Sequence, residues 1–532
     1  MRKHDYTYKE YVAHVLPCLF YGVFCGTVVG IFIFFFKYCA MLLEKLSRAL
    51  YEAAKTSPLY IALLFAGLIA IAFAMAFLHK MMPRVSGGGI PRSEGILRGT
   101  LTMRWIRTVI GTLLGSFMSF LCGLPLGSEG PSVLMGTALG RMCGRAVGKG
   151  SAWDRYIMTG GAGAGFAVAT GAPLSAILFT LEEIHKRFTP MLILSVSSTV
   201  VAASCVSGLL SELFGLSIDL FEFTVSARFS FSDVGHLILF SIIIAICVGV
   251  FNLGIARFGR LVEKAKRRLP AWAIFAILFV LTGVFGLLFS DAIYSGHHVI
   301  TETALRPESS GYILALLVCR FFFMLAVTGS GATGGIFIPT LAIGALCGGL
   351  CGKLVVAMGM NEAYFPALVF LGMCAFLGGT LRAPLTASVL FLELSAAFTG
   401  MFYVVLVVFS VYLITELFNQ KPFYDKVLEG MEKKQNKDKS ASIVRFEMRI
   451  SHGSFVVGKA VRDVLWPASS VVLSVTRNGD SERDMDHDGE KKLYPGDTVV
   501  LQAKLYDADE VLQELEGLVG RDFEIRSKVI QG

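Results

Sequence analysis

One carboxylate in this chain stands in an unusual setting. Glu129 lies between two glycines in the stretch LGSEGPSVLMGTALG (residues 126–140), ahead of a proline and an apolar helical run. The flanking segments are apolar enough for a membrane, where an ionisable side chain is costly and usually functional. At a helix start an ionised carboxylate can occupy an anion's place, and a protonated one loses that attraction and leaves. Such a residue can couple proton uptake to anion entry.

Three stretches share this design of glycines, then a proline, then a longer element. They are SGGGIP (residues 86–91), GSEGP (127–131) and GGIFIP (334–339). Proline suits the first turn of a helix, and glycine lets backbone N–H groups approach a ligand. In a membrane, broken backbone is tolerated only inside protein or around a cavity, and each free helix start attracts an anion. Together they predict one anion site, although any one of them alone is better explained as an ordinary turn between helices.

The elements that must position these stretches are membrane helices. Of the 532 residues, 54% are hydrophobic and 17% are charged, whereas soluble domains carry about 25% charged residues. The first charge-free run is too long for a signal-peptide core and is predicted to be a retained helix. The runs long enough to cross ~30 Å of hydrocarbon are residues 15–36, 57–78, 108–128, 188–211, 235–256, 271–290, 321–352 and 394–415.

The net charge of +8 has a membrane explanation. Lys and Arg cluster in short connections, for example at Lys80, Arg84, Arg92 and Arg98, and the positive-inside rule predicts a cytoplasmic side for these and for the N-terminus. The basic residues do not gather with aromatic residues on one soluble face, which argues against nucleic-acid binding. The 11 cysteines contain no C-x-x-C pair and are interpreted as small buried hydrophobes, not as metal ligands.

The membrane part repeats itself. The spacing of Pro131, Gly136 and Gly140 recurs at residues 339, 344 and 348, and GAPLSAILFTLEE (171–183) matches RAPLTASVLFLEL (382–394). Duplication of this kind is typical of transporters that handle substrate where two halves meet. Whether the halves are inverted is left open by the sequence.

The composition changes after Tyr424. Residues 429–441 are predicted to be a polar linker, and residues 442–532 a small α+β module. Alternation predicts strands at 442–450 and 471–477, a hairpin or loop at RNGD (477–480), and a turn followed by a strand over 493–505. Residues 507–518 begin with capping acids and keep helical spacing, which predicts an amphipathic helix.

The order of these motifs resembles the CLC family of chloride channels and transporters. The resemblance implies a multi-pass all-α membrane domain over residues 1–428, built of two inverted halves (roughly 10–215 and 230–428) of tilted, broken helices. It further implies a homodimer with a separate pore in each subunit. The segments that carry it are GGGIPRSEG (87–95), GSEGP, GAGAGFAVATGAPLSAILFTLEE (161–183), GSGATGGIFIP (329–339), LRAPLT (381–386) and NQKPFYDKVL (419–428).

The resemblance also implies roles for single residues. Glu129 matches the external gating glutamate, and Glu183 matches the internal proton glutamate of the exchangers. The alternative for Glu183 is a capping or salt-bridging acid near Lys186 and Arg187, with Glu182 as a further partner in that bridge. The hydroxyl of Tyr424 matches the central donor to the anion, and the remaining anion contacts fall on Gly87, Gly88, Gly89, Ile90, Gly127, Ser128, Gly130, Ile336 and Phe337.

One position departs from the family pattern. The first signature often carries serine where this chain has Gly88. Serine there is associated with chloride preference and proline with nitrate preference, so glycine leaves both anions open, with chloride favoured as the abundant anion and fluoride ranked lower.

The C-terminal module does not resemble the paired CBS domains of many relatives. The stretches GKAVRDVLWPASSVVLSVTRNGD (458–480) and LYPGDTVVLQAKLYD (493–507) are similar to the TrkA-C (RCK-C) ligand-binding domain. This similarity suggests cyclic di-AMP as a ligand, and the alternative is a folded tail that supports the dimer. No other cofactor is expected.

The function expected from these features is exchange of chloride for protons, two anions against one proton in the family's usual stoichiometry, across a bacterial plasma membrane with both termini cytoplasmic. A passive chloride channel gated by Glu129 is the alternative. A potassium transporter is disfavoured because the filter motif T-V-G-Y-G is absent. An intramembrane hydrolase built on Ser330 or His297-His298 is disfavoured because no paired base can be assigned, and those histidines with Glu302 are predicted to lie in a polar loop.

Overall fold

A computed structural model of the protein describes residues 8–147, 151–216, 229–306, 308–395, 400–436, 442–467, 470–477, 489–505, 508–520 and 526–530. Within these residues the chain is mostly helical, and eight helices are long and apolar enough to cross a membrane. The helices of the first half are α1 (Tyr8–Ala54), α2 (Pro58–Met81), α3 (Gly89–Leu97), α4 (Trp105–Leu121), α5 (Glu129–Val147), α6 (Ser151–Thr170), α7 (Pro173–Phe179) and α8 (Pro190–Phe214).

The second half repeats this pattern of long and short helices and ends in α17, which leads toward the C-terminal module. The helices are α9 (Val234–Arg268), α10 (Ala271–Leu288), α11 (His297–Leu305), α12 (Ser310–Ser330), α13 (Phe337–Ala357), α14 (Phe365–Leu381), α15 (Pro384–Ser395), α16 (Met401–Leu417) and α17 (Phe423–Gln435). Helix α17 continues into the segment predicted to be a polar linker.

The predicted spans fit where one apolar run makes one helix, as in α1, α2, α8, α9 and α10. The apolar runs over 321–352 and 394–415 do not each form one helix. The first run is divided between α12 and α13 by a glycine-containing break, and α16 begins only after Gly400, whose φ of 91° suits glycine. The break before α13 contains GGIFIP, one of the three glycine–proline breaks predicted from the sequence.

The polar loop predicted around His297 and His298 was also wrong. Both residues begin α11, with Glu302 one turn later and 3.8 Å from His298 Nε2. The helix can start there because Gly296 adopts a left-handed φ of 105° immediately before it.

The repeated glycines pack two helix pairs in the same way. A Cβ atom on Gly136 of α5 would lie 2.1 Å from the carbonyl oxygen of Gly161 on α6. In the second half, a Cβ atom on Gly372 of α14, the repeat partner of Gly161, would lie 3.0 Å from the carbonyl oxygen of Gly344 on α13, the repeat partner of Gly136. Because these positions correspond in the sequence repeat, each half builds the same close helix–helix contact.

The two halves also contact each other reciprocally. Glu182 of the first half accepts hydrogen bonds from the backbone N–H groups of Leu385 and Thr386 at the start of α15 (3.1 and 2.7 Å). Its repeat partner Glu393 accepts the equivalent bonds from Leu174 and Ser175 at the start of α7 (2.8 and 2.7 Å). Reciprocal contacts of this kind indicate that a pseudo-two-fold axis between α7 and α15 relates the two halves.

This capping role corrects the hypothesis that Glu182 bridges toward Lys186. The side chain of Glu182 points across the repeat interface to the other half, where it also accepts from the Thr386 hydroxyl (2.7 Å). A helix start offers several free N–H donors and a positive dipole end, whereas Lys186 is already paired with Glu94 and Asp425.

The C-terminal module contains a four-stranded sheet in the order β2-β3-β1-β4 and one helix. Its paired neighbours are all antiparallel. The elements are β1 (Ser442–Arg449), β2 (Ser470–Thr476), β3 (Thr498–Leu505), α18 (Ala508–Val519) and β4 (Arg526–Ile530). The first three strands and the helix agree with the sequence prediction, β4 was missed, and most of the predicted RNGD hairpin lies outside the described residues.

The module packs against the start of α6. Arg155 forms an ion pair with Glu514 of α18 (2.6 Å) and donates to the Trp466 carbonyl (2.9 Å). The ring of Phe455 meets Trp153 edge to face at 5.2 Å. The module therefore contacts the helix that packs along α5, which Glu129 begins.

Candidate functional site

The three glycine–proline breaks meet at one place in the fold. Gly127 and Gly335 exchange backbone hydrogen bonds of 2.7 and 2.8 Å, and the Gly87 N–H donates to the Gly331 carbonyl at 2.9 Å. Each break leads into a helix, α3, α5 or α13, with its proline as the third helical residue. Three helix starts therefore converge, and their dipoles favour an anion there.

Glycine is required for this convergence. A Cβ atom on Gly89 would lie 1.9 Å from the Gly130 carbonyl oxygen, and one on Gly130 would lie 2.8 Å from Cα of Gly335. Since real Cβ atoms never approach so closely, any side chain at these positions would push the helix starts apart.

The structure brings together the predicted anion-binding residues of all three segments. Gly88 caps α3 and Ile336 caps α13, and Phe337 is the first residue of α13. Gly89, Ile90, Gly127, Gly130, Ile336 and Phe337 are buried, while Gly87, Gly88 and Ser128 are half-buried.

Glu129 is fully buried at the start of α5. Its Oε1 accepts a hydrogen bond from the Ser128 hydroxyl at 3.3 Å. Its Oε2 has no hydrogen-bond partner among the described residues and lies over Gly127, where an added Cβ atom would be 2.1 Å from it. The carboxylate thus folds back onto the glycine backbone at which the helix starts converge.

Tyr424 approaches the same region from the first turn of α17. Its side chain is buried. The Tyr424 hydroxyl lies within electrostatic range of Glu129, Glu183 and Glu94. The charges of Glu129 and Glu183, the two glutamates predicted to carry protons, therefore act on the Tyr424 hydroxyl.

Glu183 lies on a π-helical turn, Thr180–His185, that continues α7. Its side chain is 2% exposed, and Oε1 has no hydrogen-bond partner in the part of the chain that the structure describes. Lys186 is close in sequence, but its Nζ is paired with Asp425 at 2.7 Å and with Glu94 at 3.2 Å. The ion pairs with Lys186 that were the alternative for Glu183 are therefore made by Glu94 and Asp425.

Sequence reasoning missed these two acids. Glu94 is fully buried and also pairs with Arg98 at 2.7 Å. Asp425 follows Tyr424 directly. Both acids lie inside segments that carry the family resemblance, GGGIPRSEG and NQKPFYDKVL, so the sequence could have indicated them. Only the tertiary contacts show that they lie near Glu183.

Aromatic rings link the regions of the two predicted proton-carrying glutamates. Phe166 stacks on Phe179 with centroids 4.4 Å apart, and both meet Phe337 edge to face at 4.9 and 5.9 Å. Phe179 lies one turn before Glu183, and Phe337 begins the helix whose start faces Glu129. The intervening space is apolar, so any proton that crosses it needs water or a mobile side chain.

The residues of the hydrolase alternative do not assemble. The Ser330 hydroxyl donates to the Val327 carbonyl at 2.8 Å and accepts from the Ala332 N–H at 3.1 Å. His297 bonds instead with the Ser295 hydroxyl at 2.9 Å. Neither histidine contacts Ser330 among the hydrogen bonds of the described residues.

Comparisons with known proteins agree with this geometry. The chain is 30% identical over 436 residues to the H(+)/Cl(-) exchange transporter ClcA of Salmonella agona (strain SL483), which covers 80% of this chain and 91% of that protein. Among solved structures it resembles a slow cyanobacterial Cl-/H+ antiporter, with a TM-score of 0.73, 25% identity, and coverage of 79% of this chain and 99% of that one.

Two further structures share the fold. A eukaryotic CLC transporter matches with a TM-score of 0.64 at 18% identity, over 79% of this chain and 74% of that one. A CLC-type fluoride/proton antiporter matches with a TM-score of 0.63 at 20% identity, over 79% and 100%. The family model described as voltage gated chloride channel matches residues 70–416, and the chain belongs to that family.

Proposed function

We propose that the protein is a proton-coupled chloride antiporter in which Glu129 is both gate and proton carrier. The observation that carries this proposal is the fully buried Glu129 carboxylate, with one oxygen unpartnered among the described residues, at the meeting point of three helix starts. The relative from Salmonella agona is named an H(+)/Cl(-) exchange transporter, and the cyanobacterial structure is of a Cl-/H+ antiporter.

The anion part of the cycle uses backbone groups. Chloride enters from the cytoplasm and rests between the starts of α3 and α13 and the Tyr424 hydroxyl. Helix dipoles and free N–H groups attract it without a fixed positive charge, so it can also leave. While Glu129 is ionised, its carboxylate competes with the anion for these donors and closes the outer path.

The proton part uses the same carboxylate. A proton taken up from outside neutralises Glu129, which then no longer competes for the helix starts and can turn inward. The proton passes the ring cluster of Phe166, Phe179 and Phe337, through water, toward Glu183. At that end Lys186 pairs with Glu94 and Asp425. These charged groups position Glu183, and the path opens there toward the cytoplasm. This transport cycle makes no covalent bond, and we propose that the protein is a transporter and not an enzyme.

The test is proton uptake by liposomes driven only by a chloride gradient. Wild-type protein is expected to move protons uphill, and Glu129→Gln is expected to abolish that movement because glutamine cannot carry the proton. Glu362→Gln, an exposed acid in the turn before α14, is the matched control and is expected to behave as wild type.

Chloride flux without proton movement in the wild type would overturn exchange and favour a passive channel. Loss of coupling in Glu183→Gln with chloride flux retained would support the inner end of the path. Equal coupling in Glu129→Gln and wild type would overturn the role of Glu129.

The proposals for assembly and membrane rest on the family resemblance. We propose a homodimer with one pore in each subunit, in a bacterial plasma membrane, with both termini in the cytoplasm. The basic residues near the start of α3 and the end of α9 support this orientation. Cross-linking of the purified protein in liposomes tests the dimer, and protease accessibility of the C-terminal module in intact and opened cells tests its side.

The C-terminal module is proposed to be a TrkA-C-like regulatory domain that binds cyclic di-AMP. Its antiparallel sheet with one helix suits such a domain, and its contact with α6 gives a route to the transport site. Calorimetry on the full-length protein with cyclic di-AMP tests the proposal. Saturable binding is expected, and an absence of heat at millimolar nucleotide would leave the module a folded support for the dimer.

A further inference from the structure

A large cavity opens beside the anion site. Its volume is about 820 Å³, and Gly87, Gly88 and Ile336 of the anion site form part of its wall. The rest of the wall comes from the C-terminal part of α9, the end of α12 with the following loop, and α17. The cavity therefore adjoins the helix starts of the anion site, and we refer to it as the vestibule.

The charge on this wall is far larger than a chloride ion needs. One acid, Glu263, faces seven basic side chains, namely Arg84, Arg92, Arg260, Lys266, Lys426, Lys433 and Lys434. Within the described part of the chain, none of the seven forms an ion pair with a carboxylate. Like charges confined to one cavity repel each other, so such a set is expected to be stabilised by an anion that contacts several of them.

Two of these side chains are held by hydrogen bonds to backbone carbonyl groups, which do not neutralise their positive charge. Arg92 is 7% exposed, its Nε has no hydrogen-bond partner among the described residues, and its Nη2 makes only a long bond to the Ser86 carbonyl at 3.4 Å. Lys266 donates to the Gly329 carbonyl at 2.7 Å. A buried guanidinium with a free donor is a site for a planar oxyanion, since its fork matches phosphate.

We propose that this vestibule binds a multivalent phosphate anion, of the size of a nucleoside triphosphate or tripolyphosphate, and that the bound anion blocks chloride transport. The volume lies within the range of small-molecule sites. The inference rests on the proposed function, because the block acts on chloride passing Gly87, Gly88 and Ile336. It differs from the cyclic di-AMP proposal, which concerns the module.

The test is chloride efflux from liposomes with tripolyphosphate added to both faces, at ionic strength matched with gluconate. Micromolar to millimolar tripolyphosphate is expected to slow efflux, and higher chloride is expected to relieve the block. In Lys433→Gln/Lys434→Gln the half-inhibiting concentration is expected to rise about tenfold, which corresponds to ~1.4 kcal/mol.

The control variant is Lys264→Gln/Arg267→Gln. These residues lie on α9 beside Glu263 and Lys266 but do not line the cavity, so the variant removes the same charge outside it. Equal weakening of the block in both variants would overturn the site and indicate surface potential alone. Block by tripolyphosphate and ATP alike would assign binding to the phosphate chain, and block by cyclic di-AMP only would overturn the vestibule proposal in favour of the module.

The proposal is separable from transport. If the wild type carries chloride but tripolyphosphate leaves efflux unchanged, the vestibule proposal fails while the proposed function stands. If the wild type carries no chloride, the proposed function fails, and calorimetry of the full-length protein with tripolyphosphate still decides binding. Efflux is also compared in liposomes of phosphatidylcholine and of phosphatidylglycerol. If tripolyphosphate blocks efflux only in phosphatidylcholine, lipid headgroups are the competing source of phosphate.

Discussion

Gly88 stands where the sequence resemblance leads us to expect serine, and the structure has room for that side chain. Its φ of −67° and ψ of 137° suit any residue, and an added Cβ atom would lie 3.7 Å from Cδ of Pro91, an ordinary contact. The glycine is therefore not required by backbone geometry, unlike Gly89 next to it.

We predict that Gly88→Ser increases the preference for chloride over nitrate. The added hydroxyl can donate to an anion at the start of α3, and a net gain of about 1 kcal/mol for chloride corresponds to roughly fivefold in the flux ratio. The measurement is anion competition in liposomes. Gly88→Ala adds the same Cβ atom without the hydroxyl, and equal selectivity in both variants would mean that the hydroxyl bonds its own helix start.

At the scale of elements, the two halves stabilise each other through exchanged helix caps. Glu182 caps α15 and Glu393 caps α7 with matching bond lengths. Each glutamate binds two N–H donors and one hydroxyl, and each is a repeat partner of the other. Short helices such as α7 and α15 depend on such caps because few of their N–H groups find partners within the helix.

We predict that Glu182→Gln and Glu393→Gln destabilise the protein by similar amounts. Glutamine retains one acceptor oxygen but loses the second and the charge at the positive helix end, a cost of about 1 kcal/mol in each case. Thermal unfolding in detergent measures the loss, with Glu302→Gln as the control because that acid caps no helix of the other half. A large loss in one variant and none in the other would contradict the two-fold relation of the caps.

At the scale of the whole molecule, the C-terminal module is connected to the proposed gate, Glu129, through one helix. Its Glu514 pairs with Arg155 at the start of α6, and α6 packs on α5 through glycines without intervening side chains. Glycine contacts are rigid because no side chain can repack, so a shift of α6 is expected to move α5 and with it Glu129.

We predict that Glu514→Gln leaves basal chloride efflux within about twofold of wild type and reduces the effect of cyclic di-AMP on efflux. The substitution removes the charge that holds Arg155 while the module keeps its own core. Efflux is measured with and without nucleotide, and binding is measured in parallel by calorimetry. An unchanged nucleotide effect with unchanged binding would mean that coupling does not pass through α6.

The sequence by itself determined the membrane class, the internal repeat, the three glycine–proline breaks and Glu129 among them. These are local properties, since hydropathy, glycine and proline act on the backbone wherever they stand. For the same reason the existence of most helices could be predicted, and so could the break between α12 and α13, which contains GGIFIP.

Only the tertiary structure decided which residues meet. Glu94 and Asp425 join Glu183, Glu182 reaches the opposite half, and seven basic residues from separate segments line one vestibule. Such contacts depend on how helices distant in sequence pack against each other, and no local preference records them. The three breaks together predicted one anion site, but how they meet was decided by the packing, in which Gly89 and Gly130 let the backbones touch.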